Sequence, residues 1–195
     1  MTEPLDRRDF AKAAVGLAAA AGATAAVAQP MRERGTMTGV PGLNAAALTA
    51  GDWMQQVRAQ HAEIDRHFQM LKRTGDGEAG RRDMLLKSLA GVLTGHSIAE
   101  EVALYPGIAM TGDTAGSDRL YMEQQHAKVM VAQLDAMPRT GPTFMTQLTA
   151  LEAAIKEHVA EEENDLYPKL RRTASMAMNA KMTADFRREF TRYTT

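Results

Sequence analysis

The stretch from His96 to Pro106 reads HSIAEEVALYP, and the stretch from His158 to Pro168 reads HVAEEENDLYP. Both fit one pattern, H-x-x-x-E-E-x-x-L-Y-P. On an α-helix a histidine and a glutamate four residues apart share a face. The same face carries Leu89 and Val92 before the first stretch and Leu104 within it, and Leu151 and Ile155 before the second and Leu166 within it. A chain built this way must bury imidazoles and carboxylates among its apolar side chains, twice over. Few folds tolerate that.

The surrounding periodicity is helical from Asp52 onward. Met54, Val57, His61, Ile64, Phe68 and Leu71 alternate steps of three and four, with Asp52 placed as an N-cap. Leu85, Leu89, Val92, His96, Glu100 and Leu104 form a second stripe. Met122, His126, Val129 and Met137 form a third, and Leu148, Leu151, Ile155, His158, Glu162 and Leu166 a fourth. The breaks TGDGEAG, TGDTAG and RTGP are short, so neighbouring helices run antiparallel. The expectation is an all-α, up-down antiparallel four-helix bundle over residues 52–172. A further amphipathic helix over 173–195 places Met178, Met182, Phe186 and Phe190 on one face as extra cover. Pro106 and Pro168 mark helix ends or kinks. Tyr105 and Tyr167 are expected on the far face, and the L-Y-P triplets read as structural.

Every stripe of the bundle carries a histidine: His61, His96, His126 and His158. Two also carry a glutamate, Glu100 and Glu162. A lone histidine on an apolar face is ordinarily a hydrogen-bonded core residue. An isolated buried carboxylate costs several kcal/mol. Six such groups in one core require a common compensating charge, which a metal ion supplies. At about 1.5 Å rise per residue, antiparallel helices bring the four histidines within about two turns of one level. The repeat then reads as two helical hairpins in tandem. His61 with His96 and Glu100 makes one half, and His126 with His158 and Glu162 the other. His67 lies off the stripe and is expected on the flank.

Composition narrows the chemistry. The chain has 195 residues, a formal net charge of −1 and no cysteine. Thiol catalysis, disulfides and thiolate metal ligands are excluded, leaving nitrogen and oxygen donors. Balanced charge without a basic stripe argues against nucleic acid as partner. The N-terminal segment has Arg7-Arg8-Asp9-Phe10-Ala11-Lys12, an Ala/Gly run and Ala26-Val27-Ala28. It resembles a bacterial twin-arginine export signal over residues 1–28. That resemblance implies export of a folded protein to the periplasm, with no stable membrane span after cleavage. Residues 29–51 read as a linker rich in Gly, Pro, Thr and Ala.

The helical order His, His-x-x-x-Glu, His, His-x-x-x-Glu resembles the bacterial hemerythrin-like (HHE cation-binding) domain. The resemblance implies two non-haem iron ions with an oxo or hydroxo bridge and bridging carboxylates. It makes His61, His96, His126 and His158 metal ligands, with Glu100 and Glu162 as the bridges. It implies O2, NO or peroxide as small-molecule ligand. Oxygen-carrying relatives have one more histidine, at the position held here by Met130. The expectation is an open iron position that reacts with O2 rather than holding it reversibly, with Glu123 or Tyr121 as the alternative source of a ligand. Ferritin-type sites use paired Glu-x-x-His motifs, and this chain has only Glu123 to His126. One zinc needs fewer ligands than converge here. The function expected is binding or sensing of a small oxidant. The alternative is a di-iron enzyme acting on peroxide or another small oxidant, and iron storage or metal delivery ranks behind both. A redox or signalling partner is unidentified.

Overall fold

The computed structural model describes residues 42–194. The export signal expected at 1–28 and residues 29–41 of the linker lie outside the described residues.

A short helix, α1 (Ala45–Leu48), precedes the bundle and buries Leu48. Asp52 then caps α2 (Trp53–Lys72). Its carboxylate accepts from the backbone N–H of Gln55, while the Gln55 side chain accepts from the backbone N–H of Asp52. All six residues of the first stripe, from Met54 to Leu71, are buried. Four further helices, each held on the core by its apolar face, complete the bundle and its cover: α3 (Ala79–Ala103), α5 (Thr114–Asp135), α6 (Pro142–Glu161) and, running on from α6, α7 (Tyr167–Thr173). The short α4 (Tyr105–Met110) joins α3 to α5. Contacts run α2 to α3, α3 to α5, α5 to α6 and α6 back to α2, which closes the four-helix ring. There is no strand among the described residues.

The last helix, α8 (Met176–Thr194), lies along α3 and α2, burying Met182, Phe186 and Phe190. It also closes the start of α2. The Trp53 backbone N–H donates to Thr183 Oγ1 at 3.1 Å, and Trp53 Nε1 donates to Asn179 Oδ1 at 2.8 Å. Gly95 is where α3 and α8 come nearest. A Cβ there would stand 2.6 Å from Thr194 Cγ2 and 3.4 Å from the Phe190 ring. At the other end Arg82, itself buried, donates to Thr74 Oγ1 and to the Thr74 and Arg139 carbonyls. That ties two interhelical loops to α3.

The third stripe is corrected by the structure. α5 turns Ser117, Leu120, Gln124 and Leu134 inward, with Ala127 and Val131 packed against the core. Met122 and Val129 are 73% and 46% exposed, and His126 is exposed as well. Two stripes at the same helical spacing compete here. The buried stripe carries Leu120, Val131 and Leu134, and its polar groups find partners as well. Gln124 Nε2 donates to Glu100 Oε2 at 2.6 Å, and Ser117 Oγ donates to the Tyr105 carbonyl at 2.9 Å.

The tyrosines are also corrected. Tyr105 and Tyr167 are fully buried rather than on a far face. Simple 3.6-residue bookkeeping fails at both. α3 stops at Ala103, and the chain restarts as α4 with Pro106, which has no N–H to continue the ladder. In the second copy, residues 162–166 form a π-helical turn between α6 and α7. That wider turn rotates Tyr167 toward the interior.

Candidate metal centre

The site lies between α2, α3, α6 and the two tyrosine-bearing turns. His61 comes from α2, His96 and Glu100 from α3, and Glu162 from the π-helical turn after α6. All four are buried, and one ligand atom from each lies within 4.8 Å of the others. His61 Nε2 stands 3.1 Å from His96 Nε2, 3.4 Å from Glu162 Oε2 and 3.9 Å from Glu100 Oε1. His96 Nε2 is 3.2 Å from Glu100 Oε2. His158, from α6, adjoins the group with Nε2 3.2 Å from Glu162 Oε1.

Each imidazole is held from behind through Nδ1. His61 Nδ1 pairs with Glu163 Oε1 at 2.7 Å, His96 Nδ1 with Gln60 Oε1 at 3.0 Å, and His158 Nδ1 with Glu123 Oε2 at 2.8 Å. An acceptor on Nδ1 fixes the tautomer and leaves the Nε2 lone pair facing the cluster. With both imidazoles neutral, two Nε2 lone pairs would face each other at 3.1 Å. Glu162 Oε2 is buried without a hydrogen bond. Facing acceptors and an orphaned carboxylate oxygen are mutually unfavourable unless a cation or protons lie among them. The donor set of imidazole nitrogen and carboxylate oxygen fits a metal ion.

The phenols complete the polar core. Tyr105 Oη donates to Glu162 Oε1 at 2.9 Å and lies 3.3 Å from both Glu100 Oε2 and His158 Nε2. Tyr167 Oη lies 2.6 Å from Glu100 Oε1 and 2.8 Å from Glu162 Oε1. Each repeat therefore sends its tyrosine to the other repeat's glutamate. This role was missed by the helical spacing. The identical Y-P at the end of each copy was the available signal.

Protonation follows from burial and neighbours. Burial and the Glu162 charge push the Glu100 carboxyl up to about 8. Burial resists ionising Glu162, but His158 and His61 hold it well below the usual carboxylate range. Burial lowers His61, yet the adjoining Glu162 and Glu163 carboxylates outweigh it and raise the imidazole to about 9. His96 is pushed well below its ordinary value by burial and by His61. Burial, reinforced by Glu100 and Glu162, drives both phenols well above 10. Without a metal, shared protons hold these groups together.

Of the residues expected as ligands, His61, His96, Glu100 and Glu162 are brought together, and His158 adjoins them. His126 is not brought in. It lies on the exposed face of α5, in a surface depression that Glu123, Glu157 and His158 also line. The side chain α5 sends to the cluster is Gln124. Met130 packs partly buried against the core. Glu123 supports His158 from behind, and Tyr121 donates to the Glu101 carbonyl at 2.7 Å. His67 is buried rather than flanking, bonded to the Glu63 carbonyl and Ser88 Oγ, outside the cluster.

A helical bundle whose interior polar groups are imidazoles and carboxylates around one point is a cation-binding bundle. The hemerythrin HHE cation-binding domain matches this chain over residues 54–170, and the chain belongs to that family. A protein of Nostoc sp. (strain PCC 7120 / SAG 25.82 / UTEX 2576) described as a DNA nickase is 24% identical over 131 residues. That alignment covers 67% of this chain and 37% of the relative, so the chain spans little more than a third of that protein's length. No solved structure matches the chain.

Proposed function

We propose that the buried cluster holds two non-haem iron ions and that the protein binds or senses O2, NO or a related small oxidant in the periplasm. The observation carrying this reading is the 3.1 Å approach of His61 Nε2 to His96 Nε2 beside Glu162 Oε2, which has no hydrogen bond and lies 3.4 Å from His61 Nε2. His61 and His96 supply nitrogen to one side of the centre and His158 to the other. Glu100 and Glu162 lie between, each touched by both tyrosines. Iron in this setting supplies reversible electron transfer and an acidic site for a small oxygen- or nitrogen-containing ligand. The chain's own residues do the rest. Glu163, Gln60 and Glu123 orient the imidazoles. Burial excludes bulk water. Tyr105 and Tyr167 hold protons at Oη, directed at the carboxylates.

Those two phenols favour the second reading, an enzyme acting on peroxide, because they offer protons at the cluster. DNA nicking is not part of the proposal. DNA affinity rests largely on cationic side chains, and the formal charge of −1 provides no excess.

The test is iron content and the ultraviolet-visible spectrum of iron-replete protein, followed by titration of the reduced form with O2 and NO. Two irons per chain and a spectrum that responds to either gas are expected. One iron, or mainly zinc, overturns the two-iron centre. Sustained peroxide turnover with an electron donor shifts the assignment to the enzyme.

A further inference from the structure

The three imidazoles of the cluster are not backed alike. Glu163 and Glu123 stand behind His61 and His158, and a carboxylate accepts from Nδ1 through either oxygen. Behind His96 stands Gln60, an amide with one accepting and one donating end. Only the accepting end leaves a proton on Nδ1 of a neutral imidazole and the Nε2 lone pair toward the cluster. The donating end would require the reverse tautomer, with Nε2 protonated and closed to a metal. Gln60 is fully buried, so bulk water does not decide which end faces His96.

The segment ahead of the bundle decides it. Gln60 Nε2 donates to the Leu48 carbonyl at 3.0 Å, and Gln60 Oε1 lies 3.0 Å from His96 Nδ1. A peptide carbonyl only accepts, so turning the amide over would set oxygen against oxygen. The turn carrying that carbonyl is itself held. The Leu48 side chain is buried in the core. Gly51, at φ 78°, leads the chain into α2, and a Cβ there would lie 2.2 Å from Gln55 Oε1. The Gly51 carbonyl accepts from Gln56 Nε2 at 2.9 Å and from the Arg187 guanidinium of α8 at 3.1 Å.

We infer that residues 45–51 form a positioning strap: the Leu48 carbonyl orients the Gln60 amide, and through it fixes the tautomer that aims the His96 Nε2 lone pair at the cluster. The inference rests on the metal-centre reading only for what that lone pair then binds. Gln60 and the strap are positioning groups, since neither reaches the cluster except through His96.

Leu48→Lys, which places a cation at an apolar anchor, and Gly51→Val each loosen the strap without altering Gln60 or His96. Arg187→Ala, at an exposed position, releases the same turn if neither of those folds. Gln60→Glu is the control, because a carboxylate has no donating end to misplace. Two quantities are read on the full-length chain: the ring-nitrogen NMR shifts of His96 in metal-free protein, and the affinity for iron(II) measured anaerobically by calorimetry. The metal-free parent should carry the His96 proton on Nδ1. A strap variant should show a fraction protonated on Nε2 and lose about 10–100-fold in iron(II) affinity, as when the partner behind a metal-binding imidazole is removed. In the Gln60→Glu background the same strap substitution should change neither quantity. Equal losses in the two backgrounds would mean a merely structural strap and overturn the inference. So would a proton on Nε2 in the metal-free parent, or strap variants that match the parent in both readouts. A parent that takes up no iron(II) but keeps its His96 proton on Nδ1, with the strap variants shifting it, defeats only the metal reading. Iron binding that ignores the strap, with the tautomer unmoved, defeats only this one.

Discussion

At the scale of single residues, two histidines on similar stripes end in different surroundings. His61 and His126 both stood on stripes read as facing inward, yet only His61 is buried among carboxylates. His126→Ala should leave metal content unchanged and stability within about 0.5 kcal/mol of the parent, as for an exposed site. His61→Ala and His96→Ala should lose metal. Elemental analysis and thermal melting of the three variants check this, and metal loss in His126→Ala would return α5 to the rotation read from the sequence. The phenols offer a second comparison. Tyr105→Phe and Tyr167→Phe keep the ring but remove a donor from buried Glu100 and Glu162. Each should cost the metal-free protein about 1–3 kcal/mol in chemical denaturation. A cost near zero in both would mean that water replaces the hydroxyls.

At the scale of elements, the irregular pieces place the chemistry. The break after Ala103 and the π-helical turn at 162–166 both bring a tyrosine to the cluster. α8 is the other element with a defined task. It covers α3 and satisfies the start of α2 through Thr183 and Asn179. Gly95→Val should push α8 away, since even a Cβ would stand 2.6 Å from Thr194 Cγ2. A destabilisation of about 1–3 kcal/mol is expected, with faster hydrogen exchange confined to residues 186–194 and little loss of metal. Unchanged exchange there would mean that the helices separate without cost.

The whole molecule couples its stability to protons and metal through the same cluster. In metal-free protein, Glu100 has a folded pKa of about 8, above its ordinary 4.5, so ionising it at rising pH opposes folding. His61, raised to about 9, contributes stability that is full below 6.5 and lost as pH rises through 9. Between pH 6.5 and about 8 both act in one direction, and from about 8 to 9 His61 alone continues it. The melting temperature of metal-free protein should therefore fall across that window, by more than about 4 °C. A bound cation takes the place of those protons, so metal-loaded protein should hold or gain stability over the same range. Parallel melting curves at pH 6.5 and 9, with and without iron, measure it. Equal slopes would detach the cluster's protons from folding.

The sequence by itself determined the helices, their order and most of the buried cluster. Period and capping are local properties. Asp52 caps α2 as its position suggests, and the stripes of α2 and α6 are buried throughout. The paired His-x-x-x-Glu spacing likewise needs only one helix to place both groups on a face. What period alone could not choose was the rotation of α5, where two stripes have the same spacing. Contacts from another helix decided it, through Glu100 accepting from Gln124 and the Tyr105 carbonyl accepting from Ser117. Period also failed at Tyr105 and Tyr167, because a helix break and a π-turn reset the angle between residues. Those departures persist in the tertiary structure because buried carboxylates need donors, and the two phenols reach them only from the rotated positions.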